Sequence, residues 1–229
     1  MKKLLTYFFL LTVFVSYSQE INQMDANGKR HGKWMKMYEG TDQIRYQGTF
    51  EHGKESGIFE FYKPSEEKKP KDKVHPFATK AYSKGSDLVE VNYFSTKGNL
   101  LSEGKMKGKE RTGKWIYYHP DTDKLMMTEN YENGKLNGLQ ITYFLNGKIT
   151  KKSNYKDGKL NGEELIYGED GSLLKSFTYK NDELNGMVKY YDLKGNITSI
   201  GRYKNNRKDG EWKTYEDGKL MKTEVFPLH

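Results

Sequence analysis

The residue types that most often carry chemistry are sparse in this 229-residue sequence. Its histidines are far apart along the chain and form no short-spaced pair of metal ligands. They are His31, His52, His75, His119 and His229. Because the chain contains no cysteine, a zinc site would need scattered carboxylates, and thiolate catalysis and disulfides are excluded. We therefore predict no metal site and no cofactor.

The sequence also contains no recognisable catalytic motif. It has no Gly-x-Ser-x-Gly nucleophile elbow, and its glycines recur at a regular period instead of preceding a helix as in phosphate-binding loops. Adjacent carboxylates such as Glu163 and Glu164 would point to opposite faces of a strand, which does not suit paired acid–base catalysis. We predict that the protein is not an enzyme.

Aromatic side chains are the strongest candidates for a binding site. Three tryptophans each lie two residues after a recurring glycine, a phenylalanine takes that position in another repeat, and two tyrosines lie at the next position on the same strand face. These candidate partner-binding residues are Trp34, Phe59, Trp115, Tyr117, Tyr190 and Trp212. Two interpretations stay open, because large rings serve either burial in the protein or contact with a partner.

An internal repeat carries these rings. Its closing glycines are mostly 24 or 25 residues apart: Gly32, Gly57, Gly113, Gly138, Gly162, Gly186 and Gly210. The longer gap between Gly57 and Gly113 fits one degenerate repeat with a short insertion. We count seven clear repeats and one degenerate repeat.

Each repeat has the pattern of a β-hairpin. Asn146-Gly147 and similar pairs tolerate the positive φ angles of hairpin turns, and apolar residues six apart share one face of the strand that follows. No repeat can bury a face alone, so neighbouring repeats must stack. The sequence predicts an all-β fold, an elongated single-sheet antiparallel meander of about seven to eight 24-residue hairpin repeats over residues 27–226.

One segment interrupts the repeats. Pro64, Pro70 and Pro76 are three of the five prolines in the chain, and they lie among charged residues of both signs. Proline cannot donate to a sheet ladder, and such a composition cannot bury itself. We predict a mobile loop over residues 64–87.

The N-terminus has the pattern of a secretory signal peptide. Lys2 and Lys3 precede an apolar run over residues 4–15, and Ser16 and Ser18 precede the expected cleavage site. This run is shorter than the roughly 20 residues of a spanning helix. We predict a signal peptide over 1–18, an N-terminal segment over 19–26, and a mature protein in the periplasm, on the outer surface or secreted.

The basic excess does not indicate nucleic-acid binding. The net charge of +8 falls to +6 once Lys2 and Lys3 are removed. The remaining lysines lie mostly at turns or alternate with apolar residues, as expected for a solvated sheet surface. Export also argues against a nucleic-acid partner, whereas weak attraction to acidic lipids or anionic wall polymers stays open.

The repeat unit Tyr-x-Asn/Asp-Gly-Lys-Leu-x-Gly-x-x-x-x-Tyr-x-x-x-Gly-x-Leu/Ile resembles the variant MORN repeat, in the form found in bacterial YwqK-type antitoxins. The resemblance covers about residues 27–226. It implies a β-hairpin repeat sheet with no known catalytic centre, which acts as a protein-interaction or membrane-apposed scaffold. The antitoxin label implies neutralising a toxin by binding it, although a signal peptide does not fit an antitoxin that guards the cytoplasm.

From these features we expect an exported, non-enzymatic scaffold that binds a protein partner in the cell envelope, with an antitoxin or immunity-type role as one form of that binding. The alternative is a binding module for cell-wall glycan or a membrane surface that uses the aromatic face. The sequence leaves the identity of the partner and the oligomeric state open.

Overall fold

The computed structural model describes residues 20–65 and 74–229, and over these residues the chain forms strands and turns without a helix. The strands are β1 (Gln23–Met24), β2 (Arg30–Met37), β3 (Ile44–Glu51), β4 (Lys54–Phe61), β5 (Ala78–Tyr82), β6 (Leu88–Phe94), β7 (Leu100–Lys107), β8 (Glu110–Tyr118), β9 (Leu125–Glu132), β10 (Lys135–Leu136), β11 (Gly138–Tyr143), β12 (Ile149–Lys156), β13 (Lys159–Tyr167), β14 (Leu173–Lys180), β15 (Glu183–Leu184), β16 (Gly186–Tyr191), β17 (Ile197–Lys204), β18 (Arg207–Glu216) and β19 (Lys219–Phe226).

The strands form one open antiparallel meander, in which each strand pairs with its neighbours along the chain. The short strands β10 and β15 are set off from β11 and β16 by one residue each, so β9 pairs with both β10 and β11, and β14 pairs with both β15 and β16. The predicted all-β, single-sheet architecture of hairpin repeats is confirmed.

The turns have the backbone conformation that the sequence predicts. Asp157 and Gly158 join β12 to β13 with φ angles of 52° and 84°. Asn205 and Asn206 take the same places between β17 and β18, with φ angles of 50° and 64°. Asparagine replaces glycine there because it is among the side chains that best tolerate positive φ.

The loop predicted over residues 64–87 is wrong for its second half. Residues 78–82 form β5, which pairs with β4 and β6, and Ala78 is buried. The charged, proline-rich composition ends at Pro76, and all five residues of β5 pair with both neighbouring strands. Residues 66–73 of the predicted loop, and the predicted signal peptide over 1–18, lie outside the described residues.

The buried apolar side chains all lie on one face of the sheet. They are Phe50, Phe59, Ala78, Val91, Trp115, Val188 and Trp212. We call this the aromatic face, and the other the opposite face. Val91 belongs to the degenerate repeat, where it takes the position of Trp115 one repeat earlier. A single-layer sheet therefore keeps its core on one side.

Candidate binding face

A row of paired side chains crosses the aromatic face. Each pair joins adjacent strands, and its two members are 11 residues apart in sequence. The pairs are Gly48 with Phe59, Gly104 with Trp115, Glu129 with Gln140, Ser153 with Glu164, Phe177 with Val188, and Gly201 with Trp212. The pairs are complementary, because the largest rings stand against glycine while carboxylates stand against hydrogen-bond donors.

The rings of Phe59, Trp115 and Trp212 lie directly on glycine backbone. A Cβ atom added at Gly48 would be 2.5 Å from Cγ of Phe59, and one at Gly104 would overlap the indole of Trp115. The indole N–H of Trp115 also donates to the backbone carbonyl of Lys105, at 3.1 Å, beside a β-bulge between β7 and β8. Both contacts fix the ring flat on the sheet.

A cation covers each tryptophan from outside. Arg111 Cζ lies 4.4 Å from the Trp115 ring centroid, and Lys208 Nζ lies 4.4 Å from that of Trp212. In the first repeat, Arg30 Cζ is 5.1 Å from the Trp34 centroid. These distances fall within the range of cation–π attraction.

The six candidate residues share the aromatic face but do not form one site. Phe59, Trp115 and Trp212 are only 2%, 0% and 6% exposed. Burial by packing therefore describes these three rings, and none of them has a free face for a partner. The remaining three candidates, Trp34, Tyr117 and Tyr190, are half-buried.

The contacts of the candidates fall into separate clusters. Trp34 packs edge-on against Phe50, with ring centroids 5.8 Å apart, and Phe50 packs against Phe59 at 5.1 Å. Tyr190 contacts Phe177 at 5.8 Å. Trp115 and Tyr117 are the one adjacent pair, at 6.5 Å. No continuous exposed aromatic row runs through them.

A closed polar network, which the sequence did not reveal, surrounds Glu129. Tyr117 and Tyr131 both donate their hydroxyls to Glu129 Oε2, at 2.6 and 2.8 Å, and Gln140 Nε2 donates to Oε1 at 2.8 Å. Arg111 Nη1 donates to the Tyr117 hydroxyl at 2.6 Å, and burial raises the pKa of that hydroxyl. Because both carboxylate oxygens accept protein donors, this network stabilises the sheet and offers no free acid or base.

Four tyrosine rings form a second row on the aromatic face. This tyrosine ladder consists of Tyr131, Tyr155, Tyr179 and Tyr203, which recur every 24 residues and are half-buried. Tyr155, Tyr179 and Tyr203 each stand opposite a glycine of the preceding strand. A glycine has no side chain to cover a neighbouring ring, and this is the sequence signal that could have identified the ladder.

Charged side chains border the tyrosine ladder. Lys151 Nζ lies 3.5 Å from Glu164 Oε2, which also accepts a 2.7 Å hydrogen bond from the Ser153 hydroxyl. Lys175 Nζ lies 5.9 Å from the Tyr190 ring centroid. The face around the ladder is therefore polar and aromatic, with Glu164 bound by Ser153 and Lys151 and with Lys175 beside a ring.

Within residues 20–65 and 74–229, no group of three histidine or carboxylate side chains is placed to hold a metal ion. Over the same ranges, no helix is long and apolar enough to span a membrane.

Comparison with known proteins identifies the middle repeats. Residues 136–157, 160–181 and 184–205 match the MORN repeat variant. These segments begin at Leu136, Leu160 and Leu184, each of which lies two residues before a closing glycine. The repeats that contain Trp115 and Trp212 carry Arg111 and Lys208 at that position. The chain thus contains three consecutive repeats of the MORN type, and its other hairpins extend the same sheet. A comparison of the whole chain with curated proteins finds no match.

Proposed function

We propose that the chain is an exported, non-enzymatic repeat scaffold that binds a protein partner in the cell envelope, with an antitoxin or immunity-type role as one form of that binding. The MORN-type repeats support a scaffold. The signal-peptide pattern of residues 1–18 supports export.

The tyrosine ladder is the observation that carries this proposal. Tyrosine is enriched at protein interfaces because it presents a large amphipathic surface at a low cost in conformational entropy. Successive ladder residues are two strands apart, so their rings are spaced by about 10 Å. Tyr131 is held by Glu129 and packs against Trp115, so the extended surface is defined by Tyr155, Tyr179 and Tyr203. Such a surface suits a protein better than a small ligand.

Burial of the tryptophans weighs against the glycan alternative. Stacking on a sugar requires an open ring face, whereas Trp115 is covered by Gly104 on one side and by Arg111 on the other. The Tyr117 hydroxyl is likewise occupied by Glu129. Trp115 and Tyr117, two of the candidate partner-binding residues, therefore offer a sugar neither an open ring face nor a free hydroxyl.

Co-purification with matched variants tests the proposal. The whole chain, residues 1–229 with a C-terminal tag, is expressed in the native host so that the signal-peptide pattern is retained, and it is then crosslinked in intact envelopes and purified. We expect one dominant protein in near-equal amount, and we expect Tyr155→Ala with Tyr179→Ala to abolish its recovery. The matched control is Tyr143→Ala with Tyr167→Ala, which removes two tyrosines of the opposite face and should leave recovery unchanged.

The controls also define the contradicting results. Thermal unfolding of each variant must show that the sheet persists, because each tyrosine contributes to packing. Equal loss of the partner in both pairs would place binding elsewhere. Recovery of no protein, together with sedimentation of the chain with cell-wall material, would favour the glycan alternative.

A further inference from the structure

The two edge regions of the sheet differ in whether another segment of the chain covers their outer side. At the N-terminal edge, residues before β2 fold back over its outer side. The Asn22 N–H donates to the Lys33 carbonyl at 2.8 Å, the Met35 N–H donates to Asn22 Oδ1 at 2.9 Å, and β1 pairs with two residues of β2. This edge is covered by the chain's own segment.

The C-terminal edge strand β19 has no such cover. It runs for eight residues and pairs with β18, and no other described segment in residues 20–65 or 74–229 pairs with its outer side. Apolar side chains are exposed along it: Leu220 is 53% exposed, Met221 61% and Val225 77%. A long edge strand with exposed apolar residues is a template for pairing with another strand.

We propose that the outer edge of β19 pairs antiparallel with β19 of a second copy of this chain, with the two-fold axis at Thr223. Such an axis, perpendicular to the sheet, joins equivalent faces and brings together residues that are symmetric about Thr223. It places Lys222 opposite Glu224 of the partner subunit on the aromatic face.

The charges of β19 favour this register over the two registers in which the two-fold axis lies one residue away. A two-fold axis at Lys222 or at Glu224 would place like charges directly opposite each other, which is destabilising, whereas the axis at Thr223 gives two pairs of opposite charge. Lys222 and Glu224 already form an ion pair within one chain, with Nζ and Oε1 2.9 Å apart. In the dimer the four charges would alternate in sign.

The ends of β19 limit how far the pairing extends. A register shift between Thr214 and Tyr215 on β18 leaves Met221 as the bulged residue of β19, so the regular ladder starts at Lys222. Pro227 follows Phe226 and ends the strand, because proline cannot donate to a ladder. The contact is therefore short and restricted to two chains, and it leaves the tyrosine ladder of each copy open.

A charge swap tests the register directly. The mass of purified residues 19–229 in solution is measured by light scattering and by sedimentation over a range of concentrations. We expect a dimer for the unaltered chain. Lys222→Glu alone and Glu224→Lys alone should each raise the dimer dissociation constant by about tenfold or more, because each places like charges at both crossings.

Two restorations complete the test. The double variant Lys222→Glu with Glu224→Lys should dimerise again, and a mixture of the two single variants should form a heterodimer. Both side chains are exposed, so the unfolding midpoint should stay unchanged when all variants are compared at a concentration at which they are monomeric. A monomeric unaltered chain, or single variants that dimerise as tightly as the unaltered chain, would overturn the proposal. A strand from a different protein paired with the outer edge of β19 would also overturn it.

Discussion

Two kinds of repeat place a hydrogen bond across the same β-bulge by different means. One kind contains Trp115 or Trp212 and is called the tryptophan repeats, and the other uses Asn130 or Asn154 and is called the asparagine repeats. The tryptophan repeats carry Gly104 with Trp115 and Gly201 with Trp212, and an indole N–H reaches back to a carbonyl of the preceding strand. In the asparagine repeats a side chain of the strand that faces the bulge reaches forward instead, as Asn154 Nδ2 donates to the Glu163 carbonyl at 2.8 Å. Both leave the bulge with a hydrogen bond across it.

The consequence of this difference is a division of roles along one sheet. A ring seated on glycine is fixed and covered, so the tryptophan repeats bury their aromatic surface. The asparagine repeats fill the same row with Gln140 or Glu164 and leave the tyrosines beside it half-exposed. We infer that the tryptophan repeats mainly stabilise the sheet and that the asparagine repeats present it to a partner.

The largest expected difference in stability is between alanine substitutions at matching positions of a tryptophan repeat and an asparagine repeat. Trp115→Ala should lower the free energy of unfolding by about 3–5 kcal/mol, as for other buried aromatics. Gln140→Ala, at the matching position, should cost about 1 kcal/mol through its hydrogen bond to Glu129. Denaturant unfolding of both variants checks this, and equal costs would contradict the division.

Adding a methyl group tests the contact between glycine and tryptophan. Gly104→Ala should cost about 1–3 kcal/mol, because its Cβ would overlap the indole of Trp115. The double variant with Trp115→Ala should cost little more than Trp115→Ala alone, since the overlap is then gone. Strictly additive costs in this double-mutant cycle would show that the ring does not depend on the glycine.

The bulge donor of the asparagine repeats should have a moderate effect. Asn154→Ala should lower stability by about 1 kcal/mol, because the Glu163 carbonyl loses its donor. Asn154→Thr should retain most of the stability, since Thr178 Oγ1 donates to the Met187 carbonyl at 3.1 Å in the next repeat. Chemical unfolding compares the two variants, and a threonine as costly as alanine would refute the equivalence.

The smallest expected effect is a pH dependence in the tryptophan repeat. The Tyr118 hydroxyl donates to Glu103 at 2.6 Å, and this hydrogen bond, with burial, raises the pKa of Tyr118 to about 12. A raised pKa means that the stabilisation is complete below the ordinary tyrosine pKa of about 10 and is lost as the pH rises through about 12. Tyrosinate absorbance should show a late-titrating group.

A single substitution identifies that group. Glu103→Gln removes the charge that opposes ionisation and should move the late transition towards the ordinary range of tyrosine. The pKa of Tyr62 is also raised to about 12, by burial and by Glu60, so a late transition remains and the substitution should lower its amplitude. An unchanged amplitude would contradict the assignment to Tyr118.

Local chemistry made the fold predictable, whereas the candidate site depends on contacts across strands. Turn residues such as Asp157 and Gly158 set hairpins within a few residues, so their period was enough to predict the meander. Whether a ring is buried or open depends on the residue that faces it from the adjacent strand, as Gly104 faces Trp115. The Glu129 network likewise joins side chains from three strands, and β5 was hidden by the prolines before it.

Crosslinking with residue-level readout tests the central claim most directly, because adjacent lysines report on the two faces. Lys151 and Lys175 border the tyrosine ladder, whereas Lys152, whose Nζ lies 5.8 Å from the Tyr167 ring centroid, and Lys189 lie on the opposite face. Amine crosslinks formed with the partner in intact envelopes are then mapped by mass spectrometry. We predict crosslinks at Lys151 and Lys175. Crosslinks confined to Lys152 and Lys189 would contradict a partner on the tyrosine ladder.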